Sequence, residues 1–180
     1  MKKIILLGYM GCGKSTIAQK LSGIVSIPYV DLDEYIEKNE KMSIKEIFEN
    51  HGEIHFRKLE HTYFLELLNK PEENIIGLGG GTPCYANNHE LLIGDGITSI
   101  YLKASIDTLF NRLVANKSKR PLIADKNEEE MKEFIAKHLF DRSFYYNHAQ
   151  YKVNVDGKTI EETVNDILNL LSWVLIIRII

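Results

Sequence analysis

Residues 8–15 read Gly-Tyr-Met-Gly-Cys-Gly-Lys-Ser, a G-x-x-x-x-G-K-[ST] loop. Such a loop holds phosphate only when it joins a buried strand to the start of a helix. Both neighbours are predicted here. Ile4-Ile5-Leu6-Leu7 is a short apolar run, and from Thr16 the residues Ile17, Leu21 and Ile24 recur on one helical face. Glycines let backbone N–H groups curl around phosphate oxygens, and the helix that follows turns its positive end to the same anion. Lys14 then reaches the β- and γ-phosphates, and Ser15 offers a hydroxyl to Mg²⁺.

Beyond the loop, strand-like and helix-like segments alternate, the pattern of an α/β fold with a parallel sheet. Strands are predicted at 3–7, 28–32, 74–78, 98–102 and 152–155. Ser43-Ile44-Lys45-Glu46 is a capping box, with Met42 and Ile47 placed as a hydrophobic staple. Its short helix is expected to stop near Gly52, and a longer one to follow over about 53–69, with Phe56, Leu59, Tyr63 and Leu67 at helical spacing. Ser105 and Thr159-Ile160-Glu161-Glu162 start two further helices, and Glu128–Glu130 begins another with the acidic first turn that the helix dipole favours.

The chain has 180 residues, enough for one domain with a full core. Its net charge of −3 argues against nucleic acid as the main partner, since binding a phosphate backbone needs a basic face. Cys12 and Cys84, the two cysteines, have no metal-ligand spacing and form no disulfide framework, so a reducing, cytoplasmic setting is expected. The apolar run after Lys2-Lys3 is too short for a signal peptide, and the one near the C-terminus is too short to span a bilayer. Residues 173–180 are expected to form an apolar extension of the last helix, packed on the domain or a neighbour, with a membrane-surface role as the alternative.

In open α/β sheets ligands sit at the carboxyl ends of the strands. The loop at 8–15, Asp31 and Asp33, and Gly79-Gly80-Gly81 all fall there. Strand alternation is expected to put the two aspartates on one side, one to orient Mg²⁺ through its water shell and one to accept a proton from an attacking hydroxyl. The competing reading makes either a helix-cap aspartate, Asp33 capping 34–38. The glycine run permits close approach of backbone to a polar ligand. Three arginines stand out. Arg57 has Glu60 three residues on, Arg142 precedes Phe144, Tyr145 and Tyr146, and Arg120-Pro121 lies in a polar, basic stretch at 116–127 suited to a lid.

Together these segments resemble the shikimate kinase family. The resemblance rests on G-x-M-G-x-G-K-S-T at 8–16, Asp-Leu-Asp at 31–33, Gly-Glu-x-x-Phe-Arg-x-x-Glu at 52–60, Gly-Gly-Gly at 79–81, Arg-Pro-Leu at 120–122 and Arg-x-x-x-Tyr at 142–146. It covers about 3–172, a single domain (1–172 with the lid at about 116–127). The resemblance implies a P-loop three-layer sandwich with a five-stranded parallel sheet in order 2-3-1-4-5. It implies transfer of the γ-phosphoryl group of ATP to the 3-hydroxyl of shikimate, with Mg²⁺, by a monomer. By position, Gly11, Cys12, Gly13, Lys14, Ser15 and Thr16 hold ATP phosphates, and Ser15 also ligates the metal. Asp31 stands near Mg²⁺ through water, and Asp33 is the base on the acceptor hydroxyl. Arg57 and Arg142 clamp the acceptor carboxylate, with Glu60 holding Arg57. Gly79, Gly80 and Gly81 line the acceptor pocket. Arg120 swings in on the lid, and Arg112 stacks on adenine.

Two other classes compete. One is a related P-loop kinase acting on gluconate or a nucleotide, which the paired arginines and the glycine run speak against. The other is a non-catalytic nucleotide-binding module, opposed by the intact Lys14, Ser15, Asp31, Asp33 and Arg120.

Overall fold

The computed structural model describes residues 3–115 and 126–177, with the side chains of the last helix described through Ser172. Arg120 and nearly all of the stretch expected to form a lid therefore lie outside the described residues. Strand β1 (Lys3–Leu7) is buried along its whole length, as the middle of a parallel sheet covered on both faces must be. It leads into α1 (Lys14–Val25), β2 (Tyr29–Asp31), α2 (Leu32–Glu40), α3 (Ile44–Asn69), β3 (Asn74–Gly77), β4 (Ile97–Lys103), α4 (Ile106–Val114), α5 (Glu128–Tyr146), β5 (Tyr151–Asn154) and α6 (Ile160–Ile177). All five strands are parallel, in the order β2-β3-β1-β4-β5.

The register positions the site. Leu6 of β1 pairs with Gly77 of β3, and Gly77 pairs with Asp31 of β2. Three strands thus end in one row. Just past that row begin the phosphate-binding loop at Gly8, the glycine run at Gly79 and the helix that carries Asp33. Leu78 extends the ladder by donating its N–H to the Leu6 carbonyl at 3.0 Å.

Local signals set the helix starts. Ser43 and Glu46 form the expected capping box, Ile47 is buried and Met42 packs against the core. Asn127 with Glu130 forms a second box, and Ser105 caps α4. Thr159 and Glu162 exchange the same pair of bonds at the start of α6, which continues through Ile177. The two helices predicted on either side of Gly52 both form: within α3 the helical backbone breaks at Gly52, at φ 78° and ψ 174°. One expectation changes in substance. Asp33 is not a strand residue but lies in the first turn of α2, so strand alternation does not align it with Asp31. Asp31 is itself the cap, its side chain accepting the N–H of Asp33 and of Glu34.

Gly52 and Gly23 give a paired test. A Cβ at either position meets nothing within 4 Å, so only the backbone distinguishes them. Gly52 sits at positive φ, whereas Gly23 lies in the regular interior of α1. Gly52→Ala should destabilise by about 1 kcal/mol and Gly23→Ala should stabilise by about 0.5–1 kcal/mol. Urea titration reads both. Equal effects of one sign would contradict the kink.

Candidate functional site

The loop at 8–13 delivers its backbone to the start of α1. Gly13, at φ 101°, occupies the N-cap position that a side chain would otherwise fill. Helices α2 to α6 each begin with their own side-chain cap. By contrast, α1 has no side-chain cap bond and no acidic residue in its first turn. Its free N–H groups are therefore left to an outside anion. The Lys14 ammonium folds over the loop and donates to the carbonyls of Gly8 at 2.8 Å and Tyr9 at 3.2 Å. From α4, Arg112 reaches the carbonyls of Cys12 at 3.1 Å and Val155 at 3.3 Å, tying the loop to the sheet.

A cavity of about 480 Å³ opens above this loop. Its walls are Gly11, Gly13–Thr16, Asp31, Asp33, Leu78–Gly80 and Arg112, so the structure gathers most of the expected nucleotide-side residues in one place. The buried Cys12, expected among the phosphate-holding residues, does not line it. Asp31 serves three neighbours. Its Oδ1 caps α2, while its Oδ2 accepts from the Tyr29 hydroxyl at 2.8 Å and stands 3.4 Å from the Ser15 hydroxyl. Among the described residues no cluster of three or more His, Cys, Asp or Glu side chains can hold a metal by itself.

The second half of the site is built against the glycine run. A Cβ at Gly79 would lie 3.1 Å from Asp33 Oδ1 and 3.1 Å from Glu60 Oε1. One at Gly80 would lie 3.3 Å from an Arg142 nitrogen, and one at Gly81 2.9 Å from an Arg57 nitrogen. Four charged groups therefore press into space that any side chain here would take. Glu60 is 1% exposed and binds Arg57 at 2.6 Å through Oε2. Glu53 accepts two more Arg57 bonds, and the Tyr85 ring lies 4.3 Å from the guanidinium carbon. Burial works against the Arg57 charge, but Glu60 and Glu53 outweigh it and its proton affinity rises. Arg142 donates to the Gly80 carbonyl at 3.2 Å, which also takes the buried Tyr146 hydroxyl at 2.5 Å.

Asp33 lies where the two halves meet. Its Oδ1 is buried without a hydrogen-bond partner, an uncommon state for a carboxylate oxygen. Burial first, then the charges of Asp31 and Glu60, push its pKa up to about 6, against the opposing pull of Lys14 and Arg57. Nearby Cys84 is no rival as a reactive group, because burial holds its thiol at about 11. Sequence reasoning missed Thr82, Tyr85 and the Tyr29 contact, and gave no role to Glu53, although it stands in the 52–60 pattern one helical turn before Arg57. Thr82 and Tyr85 carry no local signal, since their partners lie on another element. Tyr146 stood in the Arg-x-x-x-Tyr pattern but without a role.

Asp33 ionises at a cost in the folded chain. Its folded pKa is raised, so the stability it leaves intact at low pH is lost as pH rises through about 6. Asp33→Asn should stabilise the ligand-free protein at pH 8 by on the order of 2 kcal/mol, with the gap closing toward pH 4.5. Thermal melts across that range test the sign. A gap that is constant with pH would contradict a strained Asp33 charge.

Comparison with known proteins gives consistent results. A sequence model of the family described as "Shikimate kinase" matches residues 10–172. A shikimate kinase of Flavobacterium johnsoniae is 75% identical over 172 residues, 96% of this chain and all of that one. The crystal structure of shikimate kinase from Bacteroides thetaiotaomicron superposes with a TM-score of 0.87 at 34% identity, covering 95% of this chain and 98% of the other. Shikimate kinase from Acinetobacter baumannii, in complex with shikimate, superposes with a TM-score of 0.82 at 27% identity, covering 95% and 93%.

Proposed function

The chain belongs to the shikimate kinase family, and from that membership we propose how its residues divide the work. The reaction moves the γ-phosphoryl group of ATP to the 3-hydroxyl of shikimate, giving shikimate 3-phosphate and ADP on the route to chorismate and aromatic amino acids. The observation that carries the assignment is the orphaned Asp33 Oδ1, buried between the phosphate loop and a pocket flanked by two arginines.

The loop residues Gly11–Thr16 hold the ATP phosphates through the open start of α1, and Lys14 turns its ammonium from the loop carbonyls to the β- and γ-phosphates. Ser15 and Asp31 present hard oxygen donors side by side, a donor set that suits Mg²⁺ held mainly by phosphate and water. Mg²⁺ held there would neutralise phosphate charge during transfer. Arg57 and Arg142 take the acceptor carboxylate, and Gly79–Gly81 let the ring lie close to the backbone. Asp33 Oδ1 then accepts the hydrogen bond of the 3-hydroxyl, aligns that oxygen for in-line attack and takes its proton as the new P–O bond forms and the bond from the γ-phosphorus to the β,γ-bridging oxygen breaks, releasing ADP. The transition state is loose, so alignment counts for more than strong proton abstraction. Arg120, on the family resemblance, neutralises phosphoryl charge from a lid at 116–127. Arg112 offers its face to adenine.

The chain is read as a monomeric cytoplasmic enzyme. Both cysteines are free, and no described helix is long and apolar enough to cross a membrane.

A coupled assay of ADP release with shikimate, quinate, gluconate and nucleoside monophosphates tests the assignment, and turnover should be confined to shikimate and its near analogues. Asp33→Asn should lower kcat by about 10²-fold or more with ATP binding intact. Full turnover by Asp33→Asn beside a dead Asp31→Asn would reverse the two roles. Arg57→Ala and Arg142→Ala should each cost about 1.5–3 kcal/mol of shikimate binding and little ATP binding. Calorimetry with shikimate and its carboxamide measures this, and a clamp demands that wild type prefer the carboxylate.

A further inference from the structure

The acceptor clamp needs Arg57 held flat against Gly81, and Arg57 is held by Glu60. Glu60 is buried and has two oxygens to satisfy. Arg57 takes Oε2. The other, Oε1, takes the hydroxyl of Thr82, the first residue of a 3₁₀ turn after the glycine run. Thr82 is itself wholly buried and fixed by its backbone. Its N–H donates to the Gly79 carbonyl at 3.2 Å, and its carbonyl accepts the Asn88 amide at 2.9 Å. Asn88 is tied in turn to His61 of α3 at 2.7 Å. Thr82 thus hangs between the glycine run and α3 with its hydroxyl aimed at Glu60, and it does not line the nucleotide cavity.

We infer that Thr82 is a positioning residue for the acceptor: its hydroxyl fixes the Glu60 carboxylate, and through Glu60 it sets the Arg57 fork against the glycine run. The inference rests on Arg57 as a carboxylate clamp. Without the hydroxyl, Glu60 Oε1 is a buried acceptor with no donor. The carboxylate then relieves itself by turning both oxygens to Arg57, and the guanidinium leaves the plane that Gly81 makes room for. Binding of the acceptor suffers and the phosphoryl step does not, because Thr82 touches neither nucleotide nor reacting atoms.

Two near-isosteric substitutions separate the hydroxyl from the fold. Thr82→Val keeps the branched shape and loses the donor. Thr82→Ser keeps the donor and loses a methyl group. Thr82→Val should raise the shikimate KM and calorimetric Kd by roughly 5- to 20-fold, the scale of a weakened charged hydrogen bond, with kcat and the ATP KM within about twofold. Thr82→Ser should bind shikimate within about twofold of wild type even where its Tm falls. Shikimate carboxamide should not distinguish wild type from Thr82→Val. If Thr82→Val does not fold, Thr82→Ala carries the same expectation. In an Arg57→Ala background, Thr82→Val should add no further loss of shikimate affinity. Wild-type shikimate affinity in Thr82→Val, equal weakening by Val and Ser, or parallel loss of ATP binding overturns the inference while leaving the clamp intact. Unchanged shikimate affinity in Arg57→Ala alone overturns the clamp, and the inference with it.

Discussion

Asp33, Glu60, Arg57 and Arg142 converge on Gly79-Gly80-Gly81, and the rest of the structure serves that crowding. Taking charges out of water is expensive, and a buried ion pair is weak evidence of stability. What the arrangement secures is geometry. Glu60 has each oxygen occupied by a different donor, so Arg57 has one place to be. Arg142 shares a carbonyl with a tyrosine hydroxyl, which does the same for the second arginine. Any side chain on the run would displace one of the four groups. These glycines therefore stand for proximity: the backbone of Gly81 sits at φ −98°, a conformation open to any residue.

The two halves of the site solve opposite problems. In the proposed mechanism phosphate is held by backbone amides and a helix end, where fixed dipoles suit a multiply charged ligand and bury no new charge. On the same proposal the acceptor half recognises one carboxylate and leaves one hydroxyl free to react, which calls for forked donors and a lone carboxylate oxygen. The parallel sheet joins the halves without a linker. Because Leu6, Gly77 and Asp31 share one row, a shift of one residue in either pairing would turn the loop and the glycine run to different depths and part Asp33 from both.

Most of this was legible in the chain wherever a signal is local. The phosphate loop is a contiguous motif, and the caps at Ser43, Ser105 and Thr159 follow from short hydrogen-bonding patterns. Strand positions came within one or two residues; the central β1 and β3 are buried throughout and read as largely apolar runs. The pairing of Arg57 with Glu60 was legible for the same reason, being one turn of one helix. Asp31 and Asp33 show where local reading stops. Alternation was the wrong geometry, because the chain leaves β2 at Asp31 and turns at once into α2. Thr82, Tyr85 and Tyr146 were silent because their partners lie 22 to 66 residues away, and only the packing of α3 and α5 onto the glycine run brings them together.

The position of Asp33 shows what the fold sets aside for chemistry. An aspartate in the first turn of a helix is ordinarily a favourable, solvated residue. Here Asp31 takes the cap, and that bond draws the start of α2 inward until Asp33 is buried beside two further carboxylates. The cap thus places the proposed base, and it does so by making Asp33 locally unfavourable. Two cations, Lys14 and Arg57, pull the other way, and in the proposed mechanism each also meets one of the two substrates. When a substrate's negative charge engages either cation, that cation's support for the Asp33 charge is shared, and the balance shifts toward a carboxylate that accepts a proton more readily. Binding at either half therefore bears on the basicity of the one residue that lies between them.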